Sequence, residues 1–232
     1  MFEFSSTIRY SEVDYRGKLN LLGILNYFQD CSTMQSEEIG AGIDVLHNRN
    51  LVWVLSTWNI EVKRFPQMGE QIIIGTFPYA FRNYFGMRNY YMKTTDGEML
   101  AMADSMWTLL NYKESTIASV PDEIRNIYPV EEKLPMEYMK GRIKIPDDLE
   151  AYPAIPVKYH HLDANMHVNN GRYVEIALDD LPVKDYTRLR VEYRKMALDK
   201  DILTPYIGSS EDSKVVLLQN SEGEHCTVLS FS

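Results

Sequence analysis

Between Leu162 and Asn170 the chain reads Leu-Asp-Ala-Asn-Met-His-Val-Asn-Asn, which sets a carboxylate, an amide and an imidazole (Asp163, Asn165 and His167) within five residues. A carboxylate with an imidazole can position or deprotonate water, and an amide can donate to an oxygen that is gaining negative charge. Spacing by two would put all three on one side of an extended segment. Asn169 or Asn170 can then cap a helix that carries Tyr173, Val174, Ile176 and Leu178. The N–H groups of that helix start, with the positive end of its dipole, would favour an oxyanion and bias His167 towards its neutral, basic form. A plainer account stays open: Asp and Asn are turn formers, and His167 is then a hydrogen-bonded turn residue.

What must position these residues is a unit that occurs twice. Laying Tyr10 on Tyr159, a shift of 149, puts Asp14 on Asp163, Leu19 on Val168 and Asn20 on Asn169. Ile60-Glu61-Val62-Lys63-Arg64 falls on Val191-Glu192-Tyr193-Arg194-Lys195 at a shift of 131, and Thr95-Asp96-Gly97-Glu98 on Ser221-Glu222-Gly223-Glu224 at 126. The order of anchors is kept while the shift falls, so the second copy has lost residues, chiefly after its helix. The first copy shows a strand-like alternation at 5–10, a polar turn at 14–18 and an amphipathic helix between Asn20 and Ile39 that Gly40 and Gly42 stop. Strands are predicted at 51–65, 71–80, 86–94 and 99–111, with Asp96-Gly97 as a hairpin turn.

A helix with one apolar face must bury it against the concave side of such a sheet, which makes the fold class α+β. The predicted organisation is an N-terminal unit at 1–120, a linker rich in Pro and acidic residues at 121–150, and a C-terminal unit at 151–232. At the positions of Asp163, Asn165 and His167 the first copy has Asp14, Arg16 and Lys18. The carboxylate is common to both copies and the amide and imidazole are not, as expected of one working site and one relic.

The 232 residues include 24 Lys plus Arg against 33 Asp plus Glu, a net charge of −9 that repels a phosphate backbone and disfavours nucleic-acid binding. Positive charge is gathered locally, at Lys140, Arg142 and Lys144 and at Arg188, Arg190 and Arg194, where spacing by two puts each set on one face of an extended segment. Two cysteines, Cys31 and Cys226, make no disulfide framework, although one disulfide stays open. The five histidines lack ligand spacing except in the string His160-His161-Leu162-Asp163, which reads better as a turn, so no metal and no cofactor is expected. The chain opens without a basic start and has no apolar run of bilayer length, so a cytoplasmic protein without a membrane span is expected.

The run Asn165-Met166-His167-Val168-Asn169-Asn170, with Asp163 before it and Tyr173 after it, resembles the second-repeat motif of acyl-acyl carrier protein thioesterases of the plant and bacterial type. The resemblance extends to Trp53-Val54-Leu55-Ser56-Thr57-Trp58, to the strand from Glu61 to Pro66, and to Glu192-Tyr193-Arg194-Lys195, and so covers nearly the whole chain. It implies two tandem hotdog units, each a long helix wrapped by an antiparallel β-sheet, and hydrolysis of fatty acyl-acyl carrier protein thioesters to free fatty acid, the step that terminates chain elongation. It also implies catalytic roles for Asp163, Asn165 and His167, an oxyanion site at the helix start of Asn169 and Asn170, and an acyl pocket in the first repeat. Trp53, Trp58, Leu25 and Phe28 are candidates for that pocket, with ordinary core packing as the other account of each. The family's Glu and, in plant members, Cys after Glu-Tyr-Arg-Lys are here Met196 and Ala197, so no Cys nucleophile is available, and Asp199, Asp201 or Glu192 would have to replace the carboxylate. The implied partner is acyl carrier protein, an acidic protein that the two basic sets would suit. Two fused units would form an intramolecular pseudo-dimer, with association into a homodimer left open. Alternatives are an acyl-CoA hydrolase or dehydratase of the same fold, or a weakly active module that binds the acyl carrier.

Overall fold

The computed structural model describes residues 1–138, 140–163, 166–183, 185–210 and 212–232. The chain divides into two compact units, residues 1–56 with 60–138 and residues 57–59 with 139–232.

In the first unit β1 (Phe2–Thr7) leads through a 3-10 turn and a polar loop to α1 (Leu21–Glu38) and the short α2 (Ile43–His47). Four long strands follow, β2 (Leu51–Val62), β3 (Gln71–Arg82), β4 (Phe85–Thr94) and β5 (Met99–Asn111), then the two-residue β6 (Thr116–Ile117) and α3 (Asp122–Ile127). The strand order is β1-β3-β4-β5-β2. The Asp96-Gly97 turn forms as expected: Gly97 takes φ +94° and its N–H donates to the Thr94 carbonyl at 3.1 Å. Pro78 cannot donate to the ladder, and the β3–β4 register slips between Pro78 and Ala80. The strand expected at 5–10 runs earlier, over β1, and the chain turns at Arg9 into the 3-10 turn Tyr10–Glu12. Asn20 caps α1, and its side chain accepts the Gly23 N–H. The helix then buries Leu21, Ile24, Leu25, Phe28 and Cys31 on one face, with the Phe28 ring 5.4 Å from Tyr90 of β4.

The second unit opens with two short strands, β7 (Glu150–Ala151) and β8 (Ile155–Pro156), both paired with β10. After a 3-10 turn and a loop come α4 (Asn170–Asp179), β9 (Arg188–Tyr193), β10 (Ile202–Ser210), β11 (Ser213–Gln219) and β12 (His225–Phe231). Their order is β9-β12-β11-β10-β7. Gly223 takes φ +80° and its N–H donates to the Asn220 carbonyl at 3.1 Å, repeating the Gly97 turn. At 10 residues α4 is shorter than the 18 of α1, and among the described residues no counterpart of α2 follows it, which is where the sequence shift falls.

The Pro- and acid-rich stretch 121–150 carries structure. Ile124 and Tyr128 pack with Leu46, Leu51, Leu109 and Val120 in the first unit. Leu134 and Met136 lie against Phe77, Tyr91 and Met102. In the second unit Ile143 joins Val215, Leu217 and Val228, with Ile145 and Leu149 against them. Short apolar pieces among prolines are thus enough to dock this chain onto a sheet. Among the described residues no helix is long and apolar enough to cross a membrane.

Candidate active site

The candidate loop leaves a 3-10 turn at Tyr159–His161 and closes on itself. Leu162 and Val168 bridge, the Asp163 N–H donates to the His167 carbonyl at 2.8 Å, and the Met166 N–H donates to the Asp163 carbonyl at 3.1 Å. One carboxylate oxygen of Asp163 accepts the His167 N–H at 3.2 Å. Met166 takes φ +62°, a left-handed conformation uncommon for a residue with a Cβ. The extended alternation expected from the sequence is therefore replaced by a tight turn, because the Asp163 carboxylate gives the backbone a partner that an extended segment would not have. Asn165 lies outside the described residues.

The first unit contains the same turn. The Asp14 N–H donates to the Lys18 carbonyl at 2.9 Å, the Gly17 N–H to the Asp14 carbonyl at 2.9 Å, and the Lys18 N–H to the Asp14 carboxylate at 3.2 Å. Gly17 has φ +71°. The Leu19 N–H reaches the Pro66 carbonyl at 2.9 Å as the Val168 N–H reaches that of Ala197 at 3.0 Å. Burial pushes the Asp14 carboxyl up, but the bonds it accepts from Arg16 and from the Lys18 N–H together hold it below its ordinary value. The carboxylate common to both loops thus fastens a turn in each.

His167 is half-buried and bridges Leu198 of the chain after β9. Asn169, not Asn170, caps α4: its side chain accepts the Gly171 N–H at 2.9 Å and its carbonyl the Arg172 N–H at 2.9 Å. Two of the helix-start donors expected to face an oxyanion are therefore already engaged. No acceptor for the Asn170 N–H is found among the described residues. Two tyrosines hold this end in place. The Tyr193 hydroxyl donates to the Asn170 carbonyl at 2.9 Å, and the Tyr173 hydroxyl accepts the Ala197 N–H at 2.8 Å. Burial pushes both phenols up, so they stay protonated. Sequence reasoning missed these anchors, though a signal existed: the matching positions in the first copy are Ile24 and Val62.

A concavity of about 330 Å³ is lined by Tyr159, His160, Leu162, Asp163 and Met166. The His160 and His161 rings lie 4.2 Å apart, and His161 Nδ1 accepts the Lys158 N–H at 3.2 Å. Burial, then His160 and Arg172, push the His161 imidazole below its ordinary value. It takes over the task of Glu12, whose carboxylate accepts the Arg9 N–H at 2.8 Å in the first unit. Among the described residues no three His, Cys, Asp or Glu are gathered as metal ligands.

None of the three substitute carboxylates is directed at His167 by a bond of its own. Glu192 is buried and accepts the Ile143 N–H on one oxygen and an Arg194 N–H at 2.8 Å on the other. Asp201 accepts the Leu198 N–H at 2.8 Å, and Asp199 is exposed. Cys31 and Cys226 are free and buried, and burial pushes their thiols up to about 12 and about 11. Neither is a nucleophile at neutral pH. Leu25, Phe28 and Trp58 are fully buried, whereas Trp53 is half-buried with its ring 6.3 Å from that of Phe81. The two basic sets adjoin in the second unit, where Arg190 donates to the Gly141 carbonyl at 3.0 Å, and Lys140, Arg142 and Lys144 are exposed around the buried Ile143.

Comparison with known proteins bears on this geometry. Residues 1–128 match the acyl-ACP thioesterase N-terminal domain and residues 146–227 the acyl-ACP thioesterase C-terminal domain. An acyl-[acyl-carrier-protein] hydrolase of Cuphea viscosissima is 24% identical over 220 residues, covering 84% of this chain and 52% of the plant protein. The chain spans about half the length of such curated plant relatives. A crystal structure of an acyl-ACP thioesterase from Bacteroides thetaiotaomicron superposes with a TM-score of 0.90 at 25% identity over 99% of this chain and 96% of that one. The 12:0-ACP thioesterase of Umbellularia californica, at 21% identity, shares the fold with a TM-score of 0.87 over 100% and 96% of the two chains. A helix laid on an antiparallel sheet, twice over, is the tandem hotdog fold of these proteins. The chain belongs to the acyl-ACP thioesterase family.

Proposed function

We propose that this chain hydrolyses thioesters of fatty acyl groups carried on acyl carrier protein, releasing the free acid and the carrier thiol. The observation that carries the reading is the pair of turns closed by matching hydrogen bonds of which only one ends in an imidazole, His167 in place of Lys18. Membership of the family and the motif around His167 supply the substrate class. Water attacks the thioester carbonyl while His167 takes its proton. The oxyanion is held by the Asn165 amide and the N–H of Asn170 at the start of α4. Collapse breaks the C–S bond, and the thiolate leaves with the proton from His167. Asp163 holds the backbone of His167 through the bond to its N–H.

The basic face of Lys140, Arg142, Lys144 and Arg190 is the surface for the acidic carrier. Its segments are joined by the Ile143–Glu192 bond. The test is to incubate the protein with acyl-ACP and acyl-CoA of several lengths and measure free thiol and fatty acid. Acid release from acyl-ACP at higher kcat/KM than from acyl-CoA is expected. No release from either would overturn the reading. One observation favours a second account, a carrier-binding module of weak activity: Met196 stands where the family has Glu, and Glu192 and Asp201 are bonded elsewhere. A binder would retain the acyl carrier without producing acid.

A further inference from the structure

The duplicated turn allows second-unit residues to be compared with their first-unit counterparts, and three of the differences around His167 share a direction. Met166 replaces Gly17, Leu198 replaces Gln67, and Ile202 replaces Gln71. All three second-unit side chains are exposed, at 52%, 49% and 45%. Next to Leu198 the exchange runs the other way, since Asp199 stands where the first unit has an exposed Met68. Met166 lines the concavity with Asp163, and the backbone of Leu198 bridges His167 itself. Met166 also pays for its place, since it holds φ +62° where Gly17 takes φ +71° without strain. A strained, exposed, long apolar side chain beside a reactive imidazole gains nothing for the free protein.

From these exchanges we infer that Met166 and Leu198, with Ile202 outside them, form an apolar collar that grips the methylene groups on either side of the thioester and so determines specificity for alkyl thioesters. This deepens the proposed function and rests on it for the identity of the ligand. The occupant is the substrate's own chain rather than a second protein, because Met166 lines the concavity that Asp163 also lines and Leu198 bridges His167. The collar meets only the part of the substrate that acyl-ACP and acyl-CoA have in common, so it acts on both alike, unlike the basic face.

The experiment returns the first unit's residues to the second: Met166→Gly, Leu198→Gln and the double variant, with Met166→Leu as the conservative control. The probes are S-alkyl pantetheine thioethers of several chain lengths, which lack the scissile carbonyl, and binding is measured by calorimetry. Each single variant is expected to weaken binding about tenfold, in the range set by removing an apolar contact from a pocket, and Met166→Leu to keep wild-type affinity. Melting temperatures of the exposed-site variants should stay within a few degrees of wild type. Unchanged affinity in folded Met166→Gly and Leu198→Gln would overturn the collar. Turnover of acyl-ACP is measured in parallel. A wild type that binds the thioethers through these residues but releases no acid would sink hydrolysis and leave the collar standing, whereas normal turnover with indifferent variants would do the reverse.

Discussion

The loop at 13–19 and the loop at 162–168 are held by the same bonds and differ in what they present. In both, an Asp carboxylate accepts the N–H four residues on, and in both an Asn caps the helix that follows. One loop then offers Lys18 beside an Arg16 folded back on Asp14 at 2.7 Å, and the other offers His167. The frame does not make the chemistry: a turn that fastens itself leaves its last side chain free to change. The Asp that looked like half of a catalytic pair is shown by its twin to have structural work in both halves.

The largest effect is expected where the loops differ most. His167→Lys, which gives the second loop the residue of the first, should lower kcat for acyl-ACP by roughly 10² to 10⁴ with an unchanged melting temperature, read by thiol release and by circular dichroism. Activity within twofold of wild type would mean that the difference between the loops is not catalytic. Charge reversal at Arg142 together with Arg190 should come next, raising KM for acyl-ACP about tenfold or more and leaving acyl-CoA nearly unaffected. An equal rise for both substrates would argue against carrier docking there.

Asp14→Ala is expected to cost about 1–3 kcal/mol of stability, since it leaves turn donors without their acceptor. Because the folded Asp14 carboxyl lies below its unfolded value, its contribution is full above the unfolded pKa and drains away as pH falls through the folded one. The gap in melting temperature between wild type and Asp14→Ala should therefore be constant at neutral pH and narrow below about pH 4. A gap that widened in acid would contradict the role. The smallest effect belongs to Cys31→Ala and Cys226→Ala, for which turnover should stay within about twofold despite some loss of core stability, because both thiols are buried and protonated.

The duplication, the α+β class and the hairpin at Asp96-Gly97 were legible because each rests on local chemistry repeated at matching positions. The shape of the candidate loop was not. Gly17 announces a left-handed turn in the first copy, but Met166 carries the same φ in the second without a glycine to mark it, and alternation suggested an extended segment instead. Tyr173 and Tyr193 stood out only as members of a helix and of a repeated strand, since only tertiary contact shows where their hydroxyls go. Likewise, Glu192 looked available as a substitute carboxylate because its bond to Ile143 spans 49 residues of sequence. The packing of 121–150 was hidden by its prolines and acids, whose spacing resembles no regular element.

Strand β9 carries Arg190 on its cationic side and, three residues later, the Tyr193 hydroxyl bonded to the carbonyl at the head of α4. At about 3.3 Å per residue that is a rise of about 10 Å along a single β-strand. Under the proposed function, a carrier seated on that strand would be registered against His167 by covalent backbone, with no hinge between Arg190 and the tyrosine. Loosening either grip should shift where the delivered group arrives as well as how tightly the carrier is held.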